Sequence, residues 1–279
     1  MGALSSVPVH RYGPFREWKH GRTSQCAKAT SAAILVLALT VLASWRCDVD
    51  LRSFVTGIGK GTVLLGMFFP PDWKSIGEMM QPLAVTAVMA LISTICGMCL
   101  SLPCALAASS NIAPKPLRFV MRSFIAVERG LPEIVQMLLL IAIFGLGTVP
   151  GLVALSFSSI GMLAKLLADG IEEIEPHMLE AVEGTGATRS QVIRYAVIPQ
   201  ILPSLLANGL FRFEVNVRAG VILGAVGAGG IGYVMSTSMN SLDYPRACMA
   251  TLLTLILVFA SERLSDFFRV RLFSGGTLR

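Results

Sequence analysis

The residues best placed to do chemistry lie in one run, R-F-E-V-N-V-R, where Arg212, Glu214, Asn216 and Arg218 interrupt an apolar stretch. Glu214 and Arg218 are four apart with the acid nearer the N-terminus, so on a helix they share a face in the order that favours an ion pair. Arg212 and Asn216 have the same spacing and share another face. Two chemistries fit: charge pairing that fixes helix packing, or contact between a guanidinium and an anionic solute. Arg129 and Glu133 repeat the four-residue spacing, with Pro132 between them able to break the helix. Pairing within or between these two regions is the preferred role. Contact of Arg212 or Arg218 with an anion is the competing one.

Other patterns lack the setting their chemistry needs. Gly227, Gly229, Gly230 and Gly232, in G-A-G-G-I-G, match dinucleotide-fingerprint spacing. That fingerprint requires a preceding strand and a following helix in an α/β unit. An apolar helix precedes it here, so tight turning at the end of that helix is the expected role. Cys96 and Cys99, in C-G-M-C, have metal or redox spacing but no second pair and no nearby histidine. The six cysteines read as inert thiols rather than a disulfide scaffold. His10, His20 and His177 are scattered. F-S-G-G-T at 273–277 lies in the tail without a nucleotide-binding domain, and no G-x-x-x-x-G-K-[ST] loop occurs. Catalytic and metal roles therefore have no positive support.

The elements that carry these residues must sit in lipid. Of 279 residues, 54% are hydrophobic and only 14% charged, whereas a soluble domain carries roughly 25% charged residues. Mean hydropathy is +0.69. Such a chain has too few charges to clothe itself in water, which disfavours a soluble enzyme, a disordered protein or a nucleic-acid-binding domain. The formal net charge of +6 then becomes a question of which membrane side holds the positives.

A spanning helix needs about 20 mostly apolar residues. Six candidates emerge: 29–45, ending at Trp45; Pro82 to about Ser109; Arg122 to Gly145 or Gly147; Val149 to Ala168; Gln200 to Val226; and Arg246 to Glu262. Segment 1–28 is a basic leader expected to meet solvent or lipid head groups. Segment 46–81 is extracytoplasmic and interfacial, with a short helix within 51–74. Segment 82–270 is the core, with a polar loop at 170–199, and 271–279 is a tail. Arg11, Arg16, Lys19, Arg22, Lys28, Lys115, Arg118, Arg122, Lys165, Arg189 and Arg194, with the C-terminal Arg263, Arg269, Arg271 and Arg279, fall on one side of this topology. Arg46, Arg52, Lys60, Lys74 and Arg246 are the smaller group on the other. Both termini are thus expected in the cytoplasm.

The polar loop reads E-A-V-E-G-T-G-A-T-R-S-Q-V-I-R-Y-A-V-I-P. A short helix is expected from Glu180 towards Gly186, a turn at Gly186, a new helix capped by Ser190, and a bend at Pro199. An ordinary cytoplasmic connection would look similar. The loop nevertheless resembles the hallmark of the inner-membrane permease subunits of type I ABC importers: E-A-A, three residues, Gly, nine residues, then I-x-L-P. Glu180, Ala181 and Val182, then Gly186, Ala196, Ile198 and Pro199 keep that frame, with Val182, Ala196 and Ile198 departing from it. The resemblance covers roughly residues 80–270. A closer resemblance, to phosphonate importer permeases, rests on E-R-G-L-P-E-I-V (128–135), G-M-L-A-K-L-L-A-D-G-I-E-E-I (161–174) and the run at 211–232.

The resemblance implies an all-α, six-span permease of the bacterial plasma (inner) membrane, not an enzyme. It implies a second copy of the chain, two ATP-binding subunits and an extracytoplasmic substrate-binding protein as partners, in contact with membrane lipid and without nucleic acid. ATP and Mg would reside in the partner ATPase, with no cofactor in this chain. The loop would be a coupling helix docked on that ATPase: Glu180 a polar contact or cap, Ala181 allowing close approach, Gly186 allowing the turn. The transported solute would be phosphonate or a related phosphorus oxyanion. Alternatives are a permease for amino acids or other anions, a secondary transporter, or a membrane-embedded enzyme.

Overall fold

The computed structural model describes residues 22–46 and 51–274. All regular structure among the described residues is helical. By contacts the chain divides into two units, residues 1–63 and 64–279. The first holds α1 (Arg22–Arg46) and most of α2 (Leu51–Phe68). Ile34, Leu35, Val36 and Leu37 on α1 are each more than half exposed, as suits a helix whose solvent is hydrocarbon. The leader up to residue 21 and residues 275–279 of the tail lie outside the described residues.

The second unit opens with a turn of 3₁₀ helix at Trp73–Ser75, capped by the Asp72 carboxylate, which accepts from the Lys74 N–H. It continues as α3 (Ile76–Ala108), α4 (Lys115–Gly130), α5 (Glu133–Phe144), α6 (Thr148–Glu172), α7 (Pro176–Glu183), α8 (Arg189–Val192), α9 (Ile198–Leu223), α10 (Gly230–Asn240) and α11 (Tyr244–Ser274). Among the described residues, five helical stretches are long and apolar enough to cross a membrane: Ala29–Arg46, Trp73–Ala108, Thr148–Glu172, Arg189–Ala228 and Tyr244–Arg271. The chain is a multi-pass membrane protein.

The expected third span is the one that differs. It is two helices, α4 and α5, and α5 alone is apolar but short, 12 residues. The break follows from Pro132, which lacks an N–H and disfavours helical backbone in the residue before it. Leu131 is accordingly extended, at φ −93° and ψ 120°. The last helix also runs past the expected end near Glu262 to Ser274. The glycine corner feeds an additional helix, α10, where only a turn was expected.

Helix α3 packs along α6 and, less extensively, along α9. Lipid gives helices no hydrophobic reason to associate, so close backbone approach and polar contacts hold them. At Gly97 a Cβ would lie 2.3 Å from the Ser159 Cβ, so α3 and α6 meet there only because residue 97 has no side chain. Around this line, Ala105, Ala108, Ile125, Ala164, Leu167, Val197 and Ile201 form one buried cluster. Met89, Met137, Leu155 and Leu223 form a second. Met79, Val221, Ile231 and Met249 form a third, which binds α10 and α11 to the bundle.

Candidate functional site

Three sets of polar or conformationally special residues are built on this frame. The first is the loop from α6 to α9. Pro176 opens α7 at a position where its missing N–H costs no helical bond. None of the residues of α7 is buried. Glu180 and Ala181 are exposed and Val182 half-buried. The helix ends as the Gly184 N–H donates to the Glu180 carbonyl at 2.8 Å and the Gly186 N–H to the Glu183 carbonyl at 2.9 Å. Gly186 is left-handed, φ +81°, which a side chain would strain. The next cap is Thr188 rather than Ser190: its N–H donates to Gln191 Oε1 at 2.7 Å, half of a capping box. Ser190 is already inside α8, where its hydroxyl cannot reach the first free N–H groups. A wide π turn at Ile193–Val197 precedes α9, and Pro199 stands in the first turn of α9.

The base of this loop is fastened to the turn between α3 and α4. The Ser110 N–H and Arg122 both donate to Glu172 Oε1, each at 2.5 Å. Asn111 donates to the Ile171 carbonyl at 2.7 Å, and Arg189 donates to the Ile112 carbonyl. Leu179 of α7 packs against the first buried cluster, and the exposed remainder of the helix leaves a surface that another protein could meet.

The second set is buried. Arg212 on α9, 4% exposed, donates to Glu133 Oε1 on α5 at 2.8 Å, and to Ser158 Oγ at 2.6 Å and Ser159 Oγ at 3.0 Å on α6. Ser158 also donates to Glu133 Oε1 at 2.5 Å. One turn along α9, the fully buried Asn216 amide donates to Ser159 Oγ and Thr94 Oγ1, both at 2.9 Å, and to Ser93 Oγ at 3.3 Å. Four helices, α3, α5, α6 and α9, are thus joined by one polar network. Such groups persist in lipid only when they satisfy one another. Arg129 and Glu133 do not pair; the break at Pro132 puts them on separate helices. Glu128 accepts from the Gln136 amide at 3.1 Å across the same break.

On the other face of α9, Glu214 lies 3.8 Å from both Arg218 and Arg269, and Arg218 lies 3.3 Å from Glu262. The expected pair therefore exists as part of a looser four-residue cluster with α11.

The third set is the glycine corner. Gly227, Gly229 and Gly230 have φ +122°, +81° and +71°. Gly232 is helical, but a Cβ on it would lie 1.9 Å from the Val221 carbonyl oxygen. The reversal from α9 into α10 thus uses all four glycines as backbone. The Ile231 N–H is satisfied by Thr86 Oγ1 at 3.0 Å. No strand accompanies them among the described residues, so the nucleotide-fingerprint setting is absent there. Nor does any group of three or more His, Cys, Asp and Glu residues among them cluster as a metal site.

The sequence did not single out Ser93, Thr94, Ser158 and Ser159 as partners. Adjacent hydroxyl residues in each of two apolar helices were the available signal. Such hydroxyls also bond their own helix, as Ser93 does to the Met89 carbonyl and Ser159 to that of Leu155, so the pattern alone does not reveal a partner.

The family model described as "binding-protein-dependent transport system inner membrane component" matches residues 97–274. The chain is 38% identical over 205 residues to the phosphate-import permease protein PhnE of Mycolicibacterium smegmatis, covering 73% of this chain but only 38% of that relative. It is 32% identical to the phosphite transport system permease protein PtxC of Stutzerimonas stutzeri, covering 84% of this chain and 86% of the relative. Among solved structures, a chain of the inward-facing MetNI methionine ABC transporter superposes with a TM-score of 0.63 at 20% identity. That match covers 72% of this chain and 99% of the other, a likeness of fold.

Proposed function

Because the chain belongs to the family of binding-protein-dependent transport system inner membrane components, we propose that it is the pathway-forming subunit of an ATP-driven importer for phosphonate, phosphite or phosphate. The observation that carries the reading is the unburied α7 on its tethered base, found in a chain whose relatives include phosphate and phosphite permeases. Two copies of the chain would line the pathway within the lipid bilayer. Two ATPase subunits would grip the loops from the cytoplasm, where both termini lie, and an extracytoplasmic binding protein would deliver the oxyanion.

Nucleotide and Mg would be held by the ATPase subunits and would supply the driving energy there. In this chain, Glu180 offers the partner a carboxylate and Ala181 lets it approach closely. Gly186 sets the angle at which the chain leaves α7. Displacement of α7 passes along the chain to the end of α6 and from there, through the Glu172 and Ile171 tethers, to the α3–α4 turn and α4; it passes to α9 through α8 and the π turn. The direction of pumping requires that ATP and the loaded receptor each favour a different state of the pair.

The test is reconstitution. Vesicles holding this chain, its ATPase and its receptor should accumulate methylphosphonate or inorganic phosphate only when ATP is supplied. Uphill uptake by this chain without an ATPase would overturn the reading.

A further inference from the structure

Carboxylates meet several arginines of the bundle: Glu133 meets Arg212, Glu262 meets Arg218, Glu172 meets Arg122 and Glu78 meets Arg246. Arg129, at the end of α4, is different; it makes no ion pair and no side-chain hydrogen bond among the described residues. It lines a cavity of ≈ 220 Å³ between α4 and α6, together with Arg122 and Lys165. Asp169 is the carboxylate on that wall, and it is engaged by Lys165. Ile125 and the small residues Ala108, Ala126 and Ala168 complete the lining.

The placement is systematic. On a helix with 3.6 residues per turn, Lys115, Arg118, Arg122 and Arg129 fall within about 60° of one another. The opposite side of α4 carries Val120, Phe124 and Val127, all exposed, and Phe119 stands beside the lane. One face of the helix is therefore a cationic lane ending at Arg129, and the other is apolar. Arg129 is exposed, so its guanidinium is free to meet water or an anion. A guanidinium fork is also the side chain whose geometry best matches the oxygens of a phosphate-type group. The lane runs towards the turn at 109–114, which is fastened to the base of the α6–α9 loop. The cavity thus lies between the sealed Arg212 network and the end of the bundle that bears α7.

We propose that Arg129, flanked by Arg122 and Lys165 in their ion pairs with Glu172 and Asp169, holds a phosphate-type oxyanion in this cavity, on the α7 side of the Arg212 network. The identity of the anion as transported solute rests on the proposed function. A phospholipid head group offers the same chemistry, and the experiment separates the two sources.

The permease–ATPase complex, without receptor, is titrated with methylphosphonate by phosphorus-31 NMR, and its retained phosphatidylglycerol is measured by mass spectrometry. Loss of charge-assisted hydrogen bonds predicts that R129Q weakens methylphosphonate binding by about tenfold, that K165Q weakens it less, and that R129K, which keeps the charge but not the fork, recovers only part of the loss. If the wild-type complex ignores methylphosphonate but retains phosphatidylglycerol that R129Q loses, the oxyanion site stands and its occupant is lipid. If both probes behave alike in wild type and R129Q, the site is overturned. Import of methylphosphonate by the wild-type complex with its receptor is measured in parallel. Failure there rejects the transport reading while leaving the binding comparison intact.

Discussion

The α7 loop and the Arg212 network are both polar interruptions of an apolar chain, yet they are built in opposite ways. In α7 no residue is buried, and hydrogen bonds to the rest of the bundle are made only at its base. In the network, nearly every polar atom meets another protein atom, and four helices contribute. The difference teaches that polarity in a membrane protein has two separate uses. One part, as proposed for α7, is left open by its own chain for another molecule to meet. The other is completed within the chain because nothing else at that depth could do so. Substitutions in the network should therefore damage stability first, and substitutions in α7 should damage transport first.

The widest separation is expected from R212L. It removes the counter-ion of Glu133 and the donor to two serine oxygens, and breaking a buried charge pair costs about 3–5 kcal/mol. The melting temperature of the purified complex should fall accordingly, and adding E133Q should recover part of the loss. A network that tolerates R212L would erase the contrast. S159A removes one acceptor shared by Arg212 and Asn216 and should cost about 1–3 kcal/mol in the same measurement. G186V forces a branched side chain into left-handed backbone, a local strain of about 1–2 kcal/mol. Melting should hardly move, while ATP-driven uptake falls sharply and ATPase activity persists. Unchanged substrate-stimulated turnover and uptake would remove Gly186 from the coupling path. E214Q should have the smallest effect, below about 1 kcal/mol, because its arginine partners are 3.8 Å away and partly exposed. A large loss of assembly or uptake would show that this cluster is a required lock as well.

Much of this was legible in the chain because lipid imposes simple rules. Long apolar runs marked α1, α3, α6, α9 and α11, and the charges in R-F-E-V-N-V-R stood out against them. The i,i+4 rule found Glu214 with Arg218 because both lie on one helix. The same rule failed for Arg129 and Glu133, where Pro132 ends the shared helix. It could not reach Arg212 with Glu133, since that pair is 79 residues apart and depends on how α5 meets α9. The preference for Ser190 over Thr188 as a cap turned on where the helix starts, a matter of two residues. Helix α10 stayed hidden because glycines signal a turn without revealing the element beyond it.

The close approach at Gly97 has a consequence for motion. With backbone nearly touching backbone there, α3 and α6 cannot slide past each other without driving Ser159 into the next side chain. They must travel as one stiff beam. The yielding needed for a pore to open and shut then falls to its joints, the π turn before α9 and the glycine corner after it, where the winding is already loosened.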